Sequence, residues 1–187
     1  MTSTDSPMRA PPRILLACLL LGGCETLPPD MAGDTQLSGK IKITQGEKTS
    51  ASNFSWTQTS GGFDAYFWGV MGAGTTRLYG DSETLAIESR DLRTSGPAEE
   101  ILREQLGWSL PVELLLAWMR GVPETSMPVD KLQRNAEGVV ESFEQRGWRL
   151  RLAEFDDAGG YRRLSAMSDD VAVLIVVGER RERGSLR

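Results

Sequence analysis

Histidine is absent altogether from this 187-residue chain, which leaves acid–base chemistry to its carboxylates. The usual general base, triad member and commonest metal ligand is therefore missing. Two cysteines are present, Cys18 and Cys24. Cys24 follows Leu21-Gly22-Gly23, just after an apolar run from Ile14 to Leu21 that Arg9 and Arg13 precede. That run is too short to span a bilayer, which takes roughly 20 apolar residues. It fits a secretory signal sequence, with its positive, apolar and small-residue regions. Leu21-Gly22-Gly23-Cys24 has the pattern of a bacterial lipobox. In such a motif the thiol takes a diacylglyceryl group, the chain is cut before the cysteine, and the new amino terminus is acylated. One acyl chain anchors weakly, and several on one residue make the anchor effectively permanent. The competing reading is an ordinary signal peptide with an incidental cysteine.

These residues set the expected organisation: a signal peptide over 1–23, then an acylated terminus and flexible tether over 24–36, rich in Pro28, Pro29 and Gly33. Met8, followed by Arg9, is as good a start as Met1. Glu25 stands where many Gram-negative bacteria place an aspartate as an inner-membrane retention signal, so the expected destination is the periplasmic face of the outer membrane. Removing 23 residues from 187 leaves 164, enough for one domain. The net charge moves from -5 to near -6, because the removed part holds two Arg and one Asp. An acidic chain without a basic stripe is a poor ligand for phosphate backbones, so nucleic acid is not an expected partner. With Cys18 cut away and Cys24 used as the anchor, the domain keeps no thiol or disulfide, and its stability must come from core burial.

The elements that position the remaining side chains are mostly strands. Leu37, Gly39, Ile41 and Ile43 alternate with Ser38, Lys40, Lys42 and Thr44; Phe54 and Trp56 alternate with Asn53, Ser55 and Thr57. Phe63, Ala65 and Phe67 form one row and Asp64, Tyr66 and Trp68 the other. Arg77–Tyr79 and Thr84–Glu88 continue the pattern, with Gly80-Asp81 as a turn. The period then becomes helical: Ile101, Leu102, Gln105 and Leu106 after Pro97, ended by Gly107; Leu114, Leu115, Trp118 and Met119 after Pro111, ended by Gly121 and Pro123. Strand alternation returns with Phe143, with Trp148, Leu150 and Leu152, with Leu164 and Met167, and with the β-branched run Val171–Val177. Residues 179–187 read as a charged tail that frays.

Two stretches invite a functional reading. A curved antiparallel sheet with two helices set midway can carry them over its concave face, leaving either a packed core or an apolar cavity. Phe54, Trp56, Phe63, Phe67, Leu115, Trp118, Met119, Trp148 and Leu150 are the candidates to line it. The second stretch is Trp68-Gly69-Val70-Met71-Gly72-Ala73-Gly74, where apolar Val70 and Met71 stand at what should be a polar hairpin tip. Met71 either folds back into the core or meets a membrane or a lipidated client. Carboxylate chemistry at Asp156 and Asp157 is a distant alternative: adjacent residues of a strand face opposite ways, and Asp-Asp-Ala-Gly-Gly reads as a solvated turn.

In their order, the lipobox, the Trp56-x-Gln58-Thr59 strand, the loop ending at Gly72, the segment LGWSLPVELLLAWMRGVP (106–123), QRGWRLRLAEF (145–155) and RLSAMSDDVAVLIVV (163–177) resemble the LolB family of outer-membrane lipoprotein receptors. The resemblance covers about 37–177, and its Leu-Pro...Trp-Met-x-Gly-Val-Pro element is the most specific part. It implies an incomplete antiparallel β-barrel with a short helical lid over 37–178. It implies a monomeric non-enzyme that accepts lipoproteins, by their acyl chains, from a LolA-like periplasmic carrier and inserts them into outer-membrane lipid. No metal and no cofactor is implied beyond the covalent N-acyl and S-diacylglycerol groups on Cys24. The family's loop carries a leucine needed for insertion; Met71 matches it, between Val70, where a proline often stands, and Gly72. Methionine is also apolar and more flexible. The competing expectation is a lipid-anchored structural or assembly lipoprotein whose packed β-domain binds a protein partner.

Overall fold

A computed structural model describes residues 34–69, 74–107 and 110–183. The expected anchor Cys24, the tether up to residue 33 and the loop residues Val70, Met71 and Gly72 lie outside the described residues.

Alternation builds a long antiparallel meander: β1 (Asp34–Gln45), β2 (Lys48–Thr59), β3 (Gly62–Trp68), β4 (Thr76–Gly80), β5 (Thr84–Glu88) and β6 (Arg93–Pro97). Helices α1 (Ala98–Leu106) and α2 (Val112–Met119) follow. A second meander returns as β7 (Asp130–Arg134), β8 (Val140–Gln145), β9 (Trp148–Phe155), β10 (Tyr161–Met167) and β11 (Val171–Arg183). The first and last strands pair, so all eleven join one open sheet in the order β6-β5-β4-β3-β2-β1-β11-β10-β9-β8-β7. The fold is therefore mainly β, and the segment with both helices connects its two free edges. Those edges resist further pairing: β6 ends in Pro97, and every residue of β7 is exposed, with charged Asp130, Lys131 and Arg134 among them.

Two expectations need correcting at the boundaries. Asp34–Gln36, read as tether, begin β1, and residues 179–183, read as a fraying tail, complete β11: Asp34 pairs with Arg183 and Ser38 with Glu179. The pairing supplies hydrogen bonds that neither polar end advertises alone. Pro97 closes β6 one residue ahead of α1, and β6 and β7 carry no apolar row that would mark them as strands.

The sheet is strongly curved. Ile87 on β5 and Leu164 on β10 are six strands apart in the sheet order, about 29 Å if it were flat, yet both face one cavity. A register shift between Ser38 and Gly39 bends the central β1–β11 pair. Gly39 is required there, because a Cβ would strike the Val176 carbonyl.

Both helices lie over the concave face, with Ala98, Ile101 and Leu102 of α1 and Val112, Leu114, Ala117, Trp118 and Met119 of α2 buried. The C-terminal end of α2 is tied to the second meander. Gln145, 1% exposed, accepts at Oε1 from Trp118 Nε1 (3.3 Å) and the Glu124 amide (3.0 Å). Its Nε2 donates to the carbonyls of Glu124 (2.7 Å) and Met127 (3.3 Å). The Tyr161 hydroxyl donates to the Met119 carbonyl at 2.8 Å. Gly121, at φ +83°, turns the chain just past the helix, where a Cβ would sit 3.0 Å from the Tyr161 ring. From Ala32 onward the chain is one compact unit with its own core.

Gln145→Leu removes the partner of the buried Trp118 indole and of three partly buried main-chain groups and should cost about 3 kcal/mol. For a domain of this size that lowers the melting temperature by roughly 6–12 °C; a shift within about 2 °C would show that Gln145 does not hold the lid. Burial pushes the Tyr161 phenol up to about 12, against the opposing effect of the Arg180 cation. The unfolded phenol titrates near about 10, so this contribution is complete below that pH and is lost as the pH rises toward about 12. Denaturation across this window should show the loss in the parent and not in Tyr161→Phe; an equal loss in both would assign it to other groups.

Candidate functional site

The concave face and the helices form a partly open cavity of about 320 Å³. Ile41 and Ile43 reach it from β1, Phe54 and Trp56 from β2, Phe67 from β3, Leu78 from β4 and Ile87 from β5. Leu164 and Ala166 enter from β10, and Val173 and Ile175 from β11. These are inward members of the two-residue alternation, which is why strands far apart in sequence contribute in the same way. Leu102 of α1, Leu110 ahead of α2, and Leu115, Trp118 and Met119 of α2 form the roof. Among the described residues, Ser52 and Thr76 are the polar members of the lining, and no ionisable side chain belongs to it.

Of the nine residues expected here, Phe54, Trp56, Phe67, Leu115, Trp118 and Met119 line the cavity. Phe63, Trp148 and Leu150 do not; they are buried in the surrounding core. Phe63 stacks on Trp56, with ring centres 4.4 Å apart and planes 13° from parallel. Trp148 packs beside Trp118 at 5.9 Å. Both rings therefore brace lining residues from behind. Large aromatics drew the expectation, whereas much of the wall is aliphatic: Ile41, Ile43, Leu78, Ile87, Leu102, Leu110, Leu164, Ala166, Val173 and Ile175 were missed. For β1 and β11 the signal was already present as alternation and as the β-branched run.

Both indole N–H groups in the lining are hydrogen-bonded to glutamine side chains. Trp56 Nε1 donates to Gln58 Oε1 at 3.3 Å, as Trp118 Nε1 does to Gln145. What remains facing the cavity is almost entirely hydrocarbon. Such a surface can receive an alkyl chain, and its lining offers no proton donor or acceptor beyond the two hydroxyls. The Asp156 carboxylate is engaged elsewhere, accepting from the Ala158 and Gly160 amides at 3.1 and 2.8 Å within its own turn.

Several lining residues, Ile41, Ile43, Phe67, Leu78, Leu115 and Val173, are only partly buried although apolar. The lining therefore leaves apolar surface uncovered in a cavity that is partly open rather than a sealed core void.

Comparison with known proteins agrees with this geometry. The family described as "Outer membrane lipoprotein LolB" matches residues 34–178, from the first strand nearly to the end of the last. Among relatives, the outer-membrane lipoprotein LolB of Pseudomonas aeruginosa is 30% identical over 147 residues, covering 76% of this chain and 71% of that protein. The LolB of Nitrosococcus oceani is 30% identical over 162 residues, covering 76% and 81%, and that of Stutzerimonas stutzeri is 28% identical over 191 residues, covering 88% and 92%. Among solved structures, a LolA-superfamily protein from Nitrosomonas europaea superposes with a TM-score of 0.54 at 7% identity, over 81% of this chain and 87% of that one. An outer-membrane lipoprotein-sorting protein domain from Vibrio parahaemolyticus also gives 0.54, at 8% identity over 83% and 87%. The two solved structures share the fold, and the family match spans most of the chain at about 30% identity to its relatives: this chain belongs to the LolB family.

Proposed function

We propose that this protein is an outer-membrane lipoprotein of the lipoprotein-localisation machinery. It takes acylated lipoproteins from a LolA-like periplasmic carrier into its cavity and releases them into the outer membrane from the periplasmic side. The observation that carries the reading is the hydrocarbon cavity, held open beneath two helices. A fully packed interior, which a purely structural lipoprotein would need, does not match it.

Transfer of this kind makes and breaks no covalent bond. Each methylene exposed to water costs about 0.8 kcal/mol, so a bare acyl chain in the periplasm is prohibitive, and a cavity-to-cavity handover avoids the exposure. Small-ligand pockets run from about 300 to 1,000 Å³. The space here is at the low end of that range, so several acyl chains require the helices to move outward. Release then needs a site that binds chains less well than the bilayer does, and Met71 is assigned the role of disturbing the membrane at that step. Cys24 carries the acyl groups that keep the receptor at its destination.

The decisive experiment mixes the unit from Ala32 onward with carrier loaded with radiolabelled lipoprotein. Label should move to this domain; label that stays on a competent carrier would refute the receptor role. Ala166→Phe, which places a ring inside the cavity, should reduce uptake of a fluorescent fatty-acid analogue at least tenfold without lowering the melting temperature. Undiminished uptake would move the binding site elsewhere. Met71→Glu should leave label acceptance intact while stopping delivery to membranes, and delivery at the parental rate would end the role given to that loop.

A further inference from the structure

The outer face of β1–β3 carries an aromatic and basic patch that the cavity does not use. Trp68 and Tyr66, 40% and 38% exposed, stand on the outward row of β3, while Phe67 between them enters the cavity. Across the sheet Trp68 faces Asn53, and Asn53 faces Lys40. Lys42 follows on the same outward row of β1, since Ile41 and Ile43 point into the cavity. Both lysines are exposed, and neither joins an ion pair among the described residues. The end of β3 is pinned, with Asn53 Nδ2 donating to the Trp68 carbonyl at 3.3 Å. Asp64, the acidic residue of this row, is neutralised by Arg77 at 2.8 Å, and Arg77 also sits 5.5 Å from the Tyr66 ring centre. The turn beyond the lysines carries Glu47 and Lys48, one charge of each sign.

We propose that this face docks on an anionic phospholipid surface, with Trp68 and Tyr66 at the headgroup level and Lys40 and Lys42 against the phosphates. Amphipathic aromatic rings favour that depth, and basic side chains are drawn to anionic leaflets. In a chain of net charge -5, an exposed pair of unpaired lysines beside two exposed rings is locally the reverse of the whole. The length of the tether points the same way, and here the proposal rests on the Cys24 anchor of the preceding reading. Cys24 and Asp34 are ten residues apart, a reach of at most about 35 Å. Lys42 lies eight residues further along β1, about 27 Å from Asp34. A domain with β1 upright and that end toward the membrane stretches the tether almost fully. A domain lying on this outer face leaves the tether slack and brings Trp68 to the lipid.

The test uses the mature acylated protein in vesicles of phosphatidylethanolamine and phosphatidylglycerol containing a lipid brominated near its headgroup. Tryptophan emission should be quenched, and Trp68→Phe should remove most of the quenchable part. Lys40→Glu with Lys42→Glu should weaken the Trp68 contact about fivefold or more per lysine, and added salt should weaken it in the parent. Equal quenching in the parent and in Trp68→Phe, or indifference to the lysine changes, would overturn the proposal. So would a lysine variant that keeps Trp68 quenching but no longer takes cargo, since the face would then belong to the carrier. The readout is contact of one indole with lipid, so in the parent protein normal cargo transfer without that contact defeats the docking surface alone, and contact without cargo transfer defeats the receptor reading alone.

Discussion

An apolar surface that must be kept from water without being filled is the constraint on which the rest of this structure depends. The inward rows of seven strands meet on one concave face, and closing them against each other would bury that surface and remove the space. The chain covers the face with α1 and α2 instead. This divides the labour: the sheet sets the shape of the cavity, and the helices roof it. Curvature makes the arrangement possible, because a flat sheet would hold β5 and β10 far too distant to share a lining.

The attachment of the helical cover is uneven. Past the end of α2, one buried amide, that of Gln145, and one buried phenol, that of Tyr161, tie the chain to the second meander, and Gly121 lets it turn away. A buried amide is an effective tie only when all its groups are met, and Gln145 meets them with one indole and three main-chain groups. At the other end, α2 begins after Pro111 with no side-chain cap, and α1 stops at Gly107 in the left-handed conformation. The sequence of α2, VELLLAWM, is apolar nearly all round. Such a helix has no stable position in water and stays with the sheet by burial more than by directed bonds.

Charged groups contribute little to this balance and more to the surface. Arg77 is the best placed, bidentate to Asp64 at 2.9 and 2.8 Å and 4.3 Å from the Tyr79 ring centre; the bond to Asp64 raises its already high pKa. The remaining ion pairs, such as Lys131–Glu144 and Arg181–Glu179, are largely exposed and of the kind worth about 0–1 kcal/mol. With no disulfide available to the domain, stability rests on the continuous core around the cavity.

Much of the fold could be read from periodicity, because period-two and helical patterns are local consequences of side chains facing water or core. Strands β1, β2, β3, β5, β9 and β11 and both helices follow that rule. Strands β6 and β7 were invisible, since edge strands with polar residues on both faces carry no alternation. The lipobox-like pattern Leu21-Gly22-Gly23-Cys24 and the apolar pair Val70-Met71 between glycines are properties of the sequence itself. Three things were decided only by the tertiary structure. The β1–β11 pairing drew Asp34–Gln36 and residues 179–183 into the sheet, because a partner strand supplies hydrogen bonds that no local pattern encodes. Curvature determined which inward residues border the cavity, admitting Ala166 and Leu78 while leaving Phe63 and Trp148 in the wall behind. And it was the fold that set Gln145, an unremarked polar residue before a turn, against the end of α2, since hydrogen bonds between residues far apart in sequence exist only once the chain has closed on itself.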